Sequence, residues 1–436
     1  MTRFGLGGII LIIGWLMVMD CSATTHYVAT NGAGVSPYTN WVNAATNIQD
    51  AVNVARTNAA SKVVWVSNGV YYLTNQITID STVTVASVNG RNVTIVDGYN
   101  YPGKPVTNRC FSLTQNAALD GFTIRNGYST NHSAGIYAST AIIRNCLVTA
   151  NIASNSGALA GGIFISPGVV SNCDISSNVV YGASGGGVWM SGGSTSIIAN
   201  CTIAGNILSA FGGSGEEKGA GIYVYGTNNV ISNCMIYGNS ITGGTAYGGG
   251  VCLHAGASIY NSLVCNNQGT LGGGINVYGS WAKVQNCTIV SNYGAVYGGL
   301  YIASLYPYTS YVKNVICYFN NCNAGNYSNF YFSGGTASTG FSYVVNSCIA
   351  PTSALPFSAG GYYYANNIQS NPYFVNKDSN DFRLSRSSPC VNAGTNEDWM
   401  NGAVDLDGHS RIDRFSGMVD MGCYEYLPQG FMFSAP

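Results

Sequence analysis

Charged side chains are scarce in this sequence. Only 8 % of its 436 residues are Asp, Glu, Lys or Arg, and the formal net charge is -1; an average soluble protein carries about 25 % charged residues. Binding to nucleic acid requires a basic patch or stripe that neutralises phosphates, and this charge balance excludes a nucleic-acid partner. The surface must therefore be hydrated mainly by Asn, Ser and Thr.

Long apolar runs are absent beyond residue 20, where no segment reaches the roughly 18 consecutive apolar residues of a membrane-spanning helix. Residues 1–23 have a different character. Arg3 supplies a positive start, residues 9–19 are almost wholly apolar, and small residues precede Thr24. We expect a signal peptide that is cleaved after Ala23, export to the cell surface or the medium, and no membrane span in the mature chain.

The 14 cysteines lack the spacing of a metal site, because no CxxC pair or Cys/His cluster occurs. They recur instead in Asn-Cys pairs and equivalent positions, at steps of 25 to 33 residues. The asparagines of this frame are Asn145, Asn172, Asn200, Asn233, Asn261, Asn286 and Asn314. Such a repeat indicates a solenoid. We predict free thiols stacked along an inner wall, and no bound metal.

Each repeat unit alternates apolar and polar residues with a period of two, which predicts strands with one buried face. In the unit around Cys201, aliphatic Ile198 and Ile203 flank the cysteine, Asn206 follows, and a glycine then precedes Ile222. A unit of this size cannot bury its own apolar face, so successive units must stack. Asparagines buried at the bends are expected to hydrogen-bond to their equivalents in adjacent turns.

The predicted fold is all-β: a right-handed parallel β-helix solenoid with an N-terminal capping helix and an irregular C-terminal cap. The segment from Thr46 to Gln49 reads as a capping box, and Ile48, Ala51, Val52 and Ala55 follow it with helical spacing. The predicted divisions are the signal peptide (1–23), the N-terminal cap and first turns (24–110), the β-helix repeats (111–350) and a closing segment (351–436).

Two end segments resemble known families. Residues 27–29, 45–52 and 66–71 are similar to the opening of exported pectate-lyase-like β-helix proteins, and residues 381–384, 388–394 and 419–426 resemble the end of the choice-of-anchor Q family. The glycine-pair and Ile-x-x-Asn repeats are similar to passenger repeats of polymorphic outer-membrane adhesins. These resemblances imply an exported, often surface-held protein without a settled activity.

Acidic groups for catalysis are few. Polysaccharide lyases and hydrolases need clustered carboxylates and, in lyases, a basic residue, yet only six charged residues lie between Arg144 and Lys377. No catalytic residue is assigned. The weak candidates are Glu216 and Glu217, in the longest insertion between turns, and His254 on the outer face. A solvated turn is the favoured alternative for the two glutamates, and an ordinary surface residue for the histidine.

Four aspartates near the C-terminus offer oxygen ligands that suit calcium. Asp405, Asp407, Asp413 and Asp420 do not match the spacing of a known calcium loop. We interpret them as part of a structural tail. No cofactor is predicted, and calcium is the less favoured alternative.

Aromatic residues recur at the outward positions of the glycine-led strands. Stacking of the turns predicts that they form two parallel files, which comprise Phe164, Trp189, Tyr223, Tyr225, Tyr278 and Tyr301. Flat aromatic files on a long uncharged surface suit sugar rings, with Asn and Ser as hydrogen-bonding partners. The alternatives are that loops cover the files or that the rings stack only on one another.

Three functions remain open. The favoured hypothesis is a non-catalytic, adhesin-like, monomeric protein that presents an extended surface to a polysaccharide or cell-envelope glycan. The second is a polysaccharide lyase or glycoside hydrolase of the pectate-lyase-like class. The third is a structural component of the envelope. The scarcity of charge separates the first hypothesis from the second, and the aromatic files separate it from the third.

Overall fold

The computed structural model describes residues 24–57, 62–98, 108–193, 195–210, 216–254, 256–279, 281–303, 309–323, 327–333, 342–350 and 362–427. Their strands pair in parallel with the equivalent strands of adjacent turns. The predicted parallel β-helix is confirmed. The predicted signal peptide, residues 1–23, lies outside the described residues. Within these ranges no helix has the length and apolar character to cross a bilayer.

A full turn contributes four strands, whereas the repeat suggested two or three. We number the four sheets in the order in which a full turn passes through them. Sheet 1 contains Thr24–Val28, Lys62–Val66, Val83–Ser87, Ala118–Asp120, Ala141–Arg144, Gly168–Ser171, Ser196–Ala199, Val230–Ser232, Ser258–Tyr260, Lys283–Gln285, Ser310–Lys313, Ser342–Val345 and Tyr362–Ala365. Sheet 2 contains Gly69–Tyr72, Thr94–Asp97, Thr123–Arg125, Leu147–Thr149, Asp174–Ser176, Thr202–Ala204, Met235–Tyr237, Leu263–Cys265, Thr288–Val290, Ile316–Tyr318 and Cys348–Ile349.

The other two sheets complete each turn. Sheet 3 contains Tyr128–Ser129, Ile152–Ser154, Val179–Gly182, Ile207–Ala210, Glu216–Lys218, Ser240–Thr242, Thr245–Tyr247, Gln268–Leu271, Tyr293–Tyr297 and Asn321–Cys322. Sheet 4 contains Ile77–Ile79, Phe111–Leu113, Ile136–Ala138, Ile163–Ile165, Val188–Met190, Ile222–Val224, Val251–His254, Ile275–Tyr278, Leu300–Ala303 and Phe330–Ser333. An antiparallel pair, Phe374–Asn376 and Asp381–Leu384, lies in the closing segment with two 3-10 helices, Lys377–Ser379 and Asp398–Met400.

The bend from sheet 1 to sheet 2 explains the first asparagine of each repeat. Asn200 has a φ of 55° and Asn286 a φ of 48°, and the other asparagines of the frame share this left-handed conformation. Asparagine tolerates this region better than most residues that carry a Cβ. The Asn therefore turns the chain, and the residue after it points into the core.

The second asparagine of each repeat forms a buried ladder at the bend from sheet 2 to sheet 3. Nδ2 of Asn178 donates to Oδ1 of Asn206 at 3.0 Å, and the backbone N–H of Asn178 donates to the same oxygen at 3.0 Å. Nδ2 of Asn178 also donates to the Val148 carbonyl at 2.9 Å. The same arrangement runs from Asn151 to Asn320. The predicted asparagine ladder is confirmed, and it leaves these buried amides satisfied.

A second ladder is built from the cysteines of the Asn-Cys pairs, which are buried as predicted. The Cys173 thiol donates to the Ser171 carbonyl at 3.2 Å, and its sulfur accepts the backbone N–H of Cys146 at 3.4 Å. Ser262 takes the same position in the turn after Cys234, and its hydroxyl accepts the backbone N–H of Cys234 at 3.1 Å. The position therefore selects a short side chain that both donates and accepts.

The N-terminal helix is present and spans Ile48–Ala55. Its buried residues are the four that the helical spacing predicted, and they pack against the first turns. The cap lies one residue later than predicted: Asn47 is extended, and its side chain accepts from Asp50 N at 2.9 Å. Asn47, and not Thr46, is thus the N-cap, because its side chain reaches the first free N–H groups.

The closing segment lies along the side of the solenoid. Trp399 packs against Tyr260 of sheet 1, and Phe382 joins a buried cluster with Leu263 and Val290 of sheet 2. Fully buried Arg411 forms an ion pair with Glu425 at 3.0 Å and donates to Asn261. The segment therefore docks on outward-facing groups of several turns. The solenoid also continues beyond the predicted boundary at residue 350, since the strand Tyr362–Ala365 belongs to sheet 1.

Removal of one ladder amide is expected to destabilise the solenoid strongly. In Asn206→Leu, the backbone and side-chain amides of Asn178 lose their acceptor and the Ile175 carbonyl loses a donor. Each buried unsatisfied group costs about 1–3 kcal/mol, so we expect a loss of about 3 kcal/mol or more. Equilibrium denaturation measures it. As the control, exposed Asn200→Gly keeps the left-handed bend and should change stability by about 1 kcal/mol or less; equal losses in both variants would contradict the ladder.

The ladder thiols are expected to be unreactive in the folded protein. Burial raises the pKa of the Cys146, Cys173 and Cys201 thiols well above the usual value, so the nucleophilic thiolate is scarce at pH 8. Iodoacetamide should label Cys146, Cys173, Cys201, Cys234 and Cys287 only after unfolding. Fast labelling of the native protein, or disulfide-linked peptides among these five, would contradict this prediction.

Candidate functional site

A ridge of in-register residues borders the outer face of sheet 4. It runs along the solenoid where the chain leaves sheet 3, and each member pairs in parallel with the next. The ridge consists of Leu159, Ser184, Lys218, Tyr247, Leu271 and Tyr297. The rings of Tyr247 and Tyr297 on the ridge join those on the outer face of sheet 4 in one long surface.

The glycine pairs that follow the ridge allow consecutive turns to pack closely. A Cβ on Gly187 would lie 2.7 Å from the Gly221 carbonyl oxygen and 2.8 Å from Nδ2 of Asn206. A Cβ on Gly221 would lie 2.4 Å from the carbonyl oxygen of Gly250. No side chain fits at these contacts, so the glycines are required by the close packing of consecutive turns over the asparagine ladder.

The first column of outward rings is Tyr137, Phe164, Trp189 and Tyr223, which we call the inner file. Ring centroids are 4.9 Å apart for Tyr137 and Phe164, and 4.7 Å apart for Phe164 and Trp189, with planes within 11° of parallel. Leu159 and Ala160 pack beside these rings. The inner file is therefore a stacked apolar layer between sheet 4 and the ridge.

The expected solvent exposure is wrong for three of the six aromatic candidates. Phe164 and Trp189 are 8 % exposed and Tyr223 is 6 % exposed. Both anticipated alternatives contribute: the rings stack face to face on one another, and residues of the ridge cover them. A ligand-binding role for these three residues stays a prediction, but their faces are not open to a sugar in this structure.

The second column, Tyr225, His254 and Tyr278, is more accessible, and we call it the outer file. Tyr225 is 49 % exposed, and His254 and Tyr278 are half-buried. Centroids are 5.2 Å apart for Tyr225 and His254 and 5.6 Å apart for His254 and Tyr278, with planes tilted by 43° and 40°. Because tilted rings do not cover one another fully, parts of their faces point toward solvent.

One cation lies over the outer file. The Lys218 ammonium is 4.9 Å from the ring centroid of Tyr278 and 5.9 Å from that of Tyr247, within the range of a cation–π interaction. Burial, and then the Lys218 charge, lower the pKa of His254. The imidazole is therefore neutral at neutral pH, with one ring nitrogen that donates and one that accepts.

Tyr301, the remaining candidate, belongs to a cluster of tyrosines further along the solenoid. Its ring lies 4.5 Å from Tyr297 and 5.9 Å from Tyr331, and Tyr327 packs edge-on against Tyr331 at 4.6 Å. All four rings are half-buried. The repeat frame missed Tyr297, because a register shift after Gly269 brings it onto the ridge.

The catalytic candidates do not form an acid–base pair that the structure describes. Glu216 and Glu217 lie in the strand Glu216–Lys218, which pairs with Thr245–Tyr247, and their side chains are outside the described part of the molecule. His254 lies in the outer file, between two tyrosine rings. Catalytic roles for all three residues remain predictions.

Other carboxylates of the stack are engaged on sheets 1 and 2. They form ion pairs of 2.7 to 2.8 Å between Asp97 and Arg125, Asp120 and Arg144, and Asp174 and Arg91. Such pairing fixes these side chains on faces away from the aromatic surface. These three carboxylates therefore have arginine partners outside the aromatic surface.

The four aspartates considered for calcium accept hydrogen bonds from the closing segment itself. Asp405 accepts from the backbone of Asp407 and His409, and Asp420 from that of Asn392 and Tyr426. Asp413 accepts from two turn N–H groups, and Asp407 pairs with Arg383. No group of three or more metal-ligating side chains occurs among the residues described. The aspartates thus shape turns in the segment.

Comparison with known proteins supports the fold. A family described as the right-handed β-helix region matches residues 109–289, in agreement with the predicted handedness. No curated protein sequence matches the chain.

Solved structures with a similar course of the chain include three lyases. Pectate lyase Pel9A is 17 % identical, with 93 % of this chain and 97 % of that chain covered and a TM-score of 0.48. The PL6 family polysaccharide lyase Pedsa3628 from Pseudopedobacter saltans is 10 % identical (78 % and 96 %, TM-score 0.38), and a rhamnogalacturonan lyase is 13 % identical (82 % and 91 %, TM-score 0.38). At these values the likeness assigns no activity to this chain.

Truncation of Trp189 is expected to destabilise the protein. Its ring is 8 % exposed and stacks on Phe164, and replacement of a buried Trp by Ala costs about 3–5 kcal/mol. Tyr225→Ala, one turn away in the accessible file, should cost about 1 kcal/mol or less, since its ring is half exposed. Chemical denaturation compares the two. A Trp189→Ala protein as stable as wild type would show that the inner file is not a packed layer.

Proposed function

We propose that this chain is an exported, monomeric β-helix protein that binds a polysaccharide or cell-envelope glycan without cleaving it. The outer file is the central contact surface, and the tyrosines around Tyr301 extend it. The observation that carries the proposal is the change from a closed to an open aromatic surface: Trp189 is covered, whereas Tyr225 beside it is 49 % exposed.

The chemistry of the outer file suits a sugar chain. The apolar faces of pyranose rings pack on aromatic rings, and the hydroxyls require donors and acceptors around them. The exposed part of Tyr225 offers the ring face. Neutral His254 offers both a donor and an acceptor, and the Lys218 ammonium above Tyr278 adds a donor. Binding along the solenoid axis would place successive sugars over successive turns.

The resemblances of the end segments support export and presentation at a surface. Residues 381–384 and 419–426 resemble the choice-of-anchor Q family, and the glycine-pair repeats resemble adhesin passengers. Both groups present extended β-helices outside the cell. More specifically, the proposed role is that of an adhesin-like surface protein.

Cleavage of a polysaccharide is the second candidate function, and one observation favours it. Burial, and then the Lys218 charge, lower the pKa of His254, and a neutral imidazole in an aromatic surface accepts a proton at neutral pH. In a lyase, such a group would remove a proton from the sugar ring while a cation stabilises the developing negative charge. The two candidate functions share one surface and differ in turnover.

Tyr225→Ala is expected to weaken glycan binding about two- to tenfold, because aromatic stacking contributes about 0.5–1.5 kcal/mol. Its melting temperature should stay close to that of wild type. A glycan array identifies a ligand, and calorimetry with that ligand measures the change. Tyr363→Ala is the matched control, since Tyr363 is 54 % exposed on sheet 1. Equal loss in both variants, or none in Tyr225→Ala, would overturn the assignment of the surface.

Turnover separates binding from cleavage. Acidic and neutral polysaccharides are incubated with wild type, His254→Gln and Lys218→Met, and chain length and unsaturated products are followed. The binding proposal expects no product from any of the three proteins. If wild type depolymerises a polysaccharide and His254→Gln does not, the binding proposal is wrong and the lyase hypothesis replaces it. If no glycan is bound or cleaved, both functions fail.

A further inference from the structure

Cys348 begins the last strand of sheet 2, outside the Asn-Cys frame. Ser347 occupies the frame position, and its hydroxyl accepts the backbone N–H of Val315 at 3.0 Å. Cys348 therefore points outward from sheet 2, in register with Ile316. It is nevertheless fully buried, because the closing segment covers it.

Cys390 lies in the closing segment directly opposite. Its backbone is fixed on both sides: its N–H donates to the Ser388 hydroxyl at 3.2 Å, and its carbonyl accepts from Met421 N at 3.0 Å. Cys390 is fully buried and shares a cluster with Cys348, Leu384 and Met421. The Cys390 side chain is the first cause that raises the pKa of the Cys348 thiol, and the Cys348 thiol donates to the Ser370 carbonyl at 3.3 Å. Two thiols from distant parts of the chain thus share the buried interface that holds the closing segment.

We infer that Cys348 and Cys390 form a disulfide that links the closing segment to the last turns of the solenoid. The two thiols lose two protons and two electrons to a disulfide donor of the glutathione class, which leaves as two thiols. One S–S bond forms in the protein and one breaks in the donor. An exported chain meets such donors in an oxidising compartment.

Other cysteine pairs are less suited to this chemistry. Cys146 and Cys173 are neighbours in parallel, in-register turns, where their Cβ atoms point the same way and the preferred dihedral of about 90° is strained. Cys265 and Cys423 also share a cluster across the interface, but the pKa of the Cys265 thiol is raised by burial and not by Cys423. Cys423 therefore serves as a control at the same interface.

The link must form while the closing segment docks. Contact with Cys390 and burial both raise the pKa of the Cys348 thiol, so the folded, reduced protein presents little thiolate to an external oxidant. During folding, before the interface closes, both thiols are accessible to the donor. The reduced protein, once folded, should consequently be oxidised slowly.

Refolding of the full chain tests the inference without any assumption about export. The protein is unfolded in reductant, refolded in a buffer of oxidised and reduced glutathione, alkylated and digested without reduction. We expect the peptides that contain Cys348 and Cys390 to be recovered linked to each other, with the ladder cysteines alkylated. Recovery of Cys348 and Cys390 as free thiols, or predominantly in other linkages, would overturn the inference.

Variants give an independent readout. Cys390→Ser should abolish the linked peptide and make the melting temperature insensitive to added reductant, whereas wild type should lose several degrees on reduction. Cys423→Ser should keep both the link and the sensitivity. If Cys390→Ser does not fold, the wild-type peptide map still decides. Reductant sensitivity that persists in a folded Cys390→Ser protein would count against the pair.

Discussion

In-register stacking of turns is the constraint on which this molecule depends. The buried asparagines enforce this register most directly. Each side-chain amide accepts two hydrogen bonds from one neighbouring turn and donates to both neighbouring turns. For Asn178 and Asn206, including their bonds to the Val148 and Ile175 carbonyls, these contacts are all 2.9 to 3.0 Å. A turn displaced along the axis would break several buried bonds at once. Similar residues consequently recur at similar positions although the units differ in length.

Differences in length are taken up between sheets 3 and 4, where the ridge forms, and between sheets 4 and 1. The bend from sheet 1 to sheet 2 is fixed by one left-handed asparagine, such as Asn200, and the bend from sheet 2 to sheet 3 by the ladder. The segments that enter the glycine pairs therefore have freedom to lengthen and to carry new side chains. Lys218 and Tyr247 lie on such segments. The candidate surface is thus located where the solenoid tolerates variation.

Stacking both creates and limits the aromatic surface. A spacing of one turn brings ring centroids within 5 Å, and parallel rings such as Phe164 and Trp189 then bury each other's faces. Access to a ligand returns in the outer file, where Tyr225 is 49 % exposed although its ring also stacks on Trp189 at 6.1 Å. The proposed glycan contact therefore lies on the irregular part of an otherwise regular ladder. The closing segment illustrates the same rule on sheets 1 and 2, where it covers outward side chains such as Tyr260.

The sequence by itself determined the solenoid, its inward aliphatic and cysteine positions, the asparagine ladder and the buried face of the helix that begins at Ile48. All of these follow from residue type and spacing, because the contacts join equivalent positions of adjacent units. Only the tertiary structure decided the covering of Trp189, the approach of Lys218 to Tyr278, the tyrosines around Tyr301 and the course of the closing segment. These contacts join positions outside the common frame, and their geometry depends on loop length, ring tilt and docking, for which local spacing carries no signal.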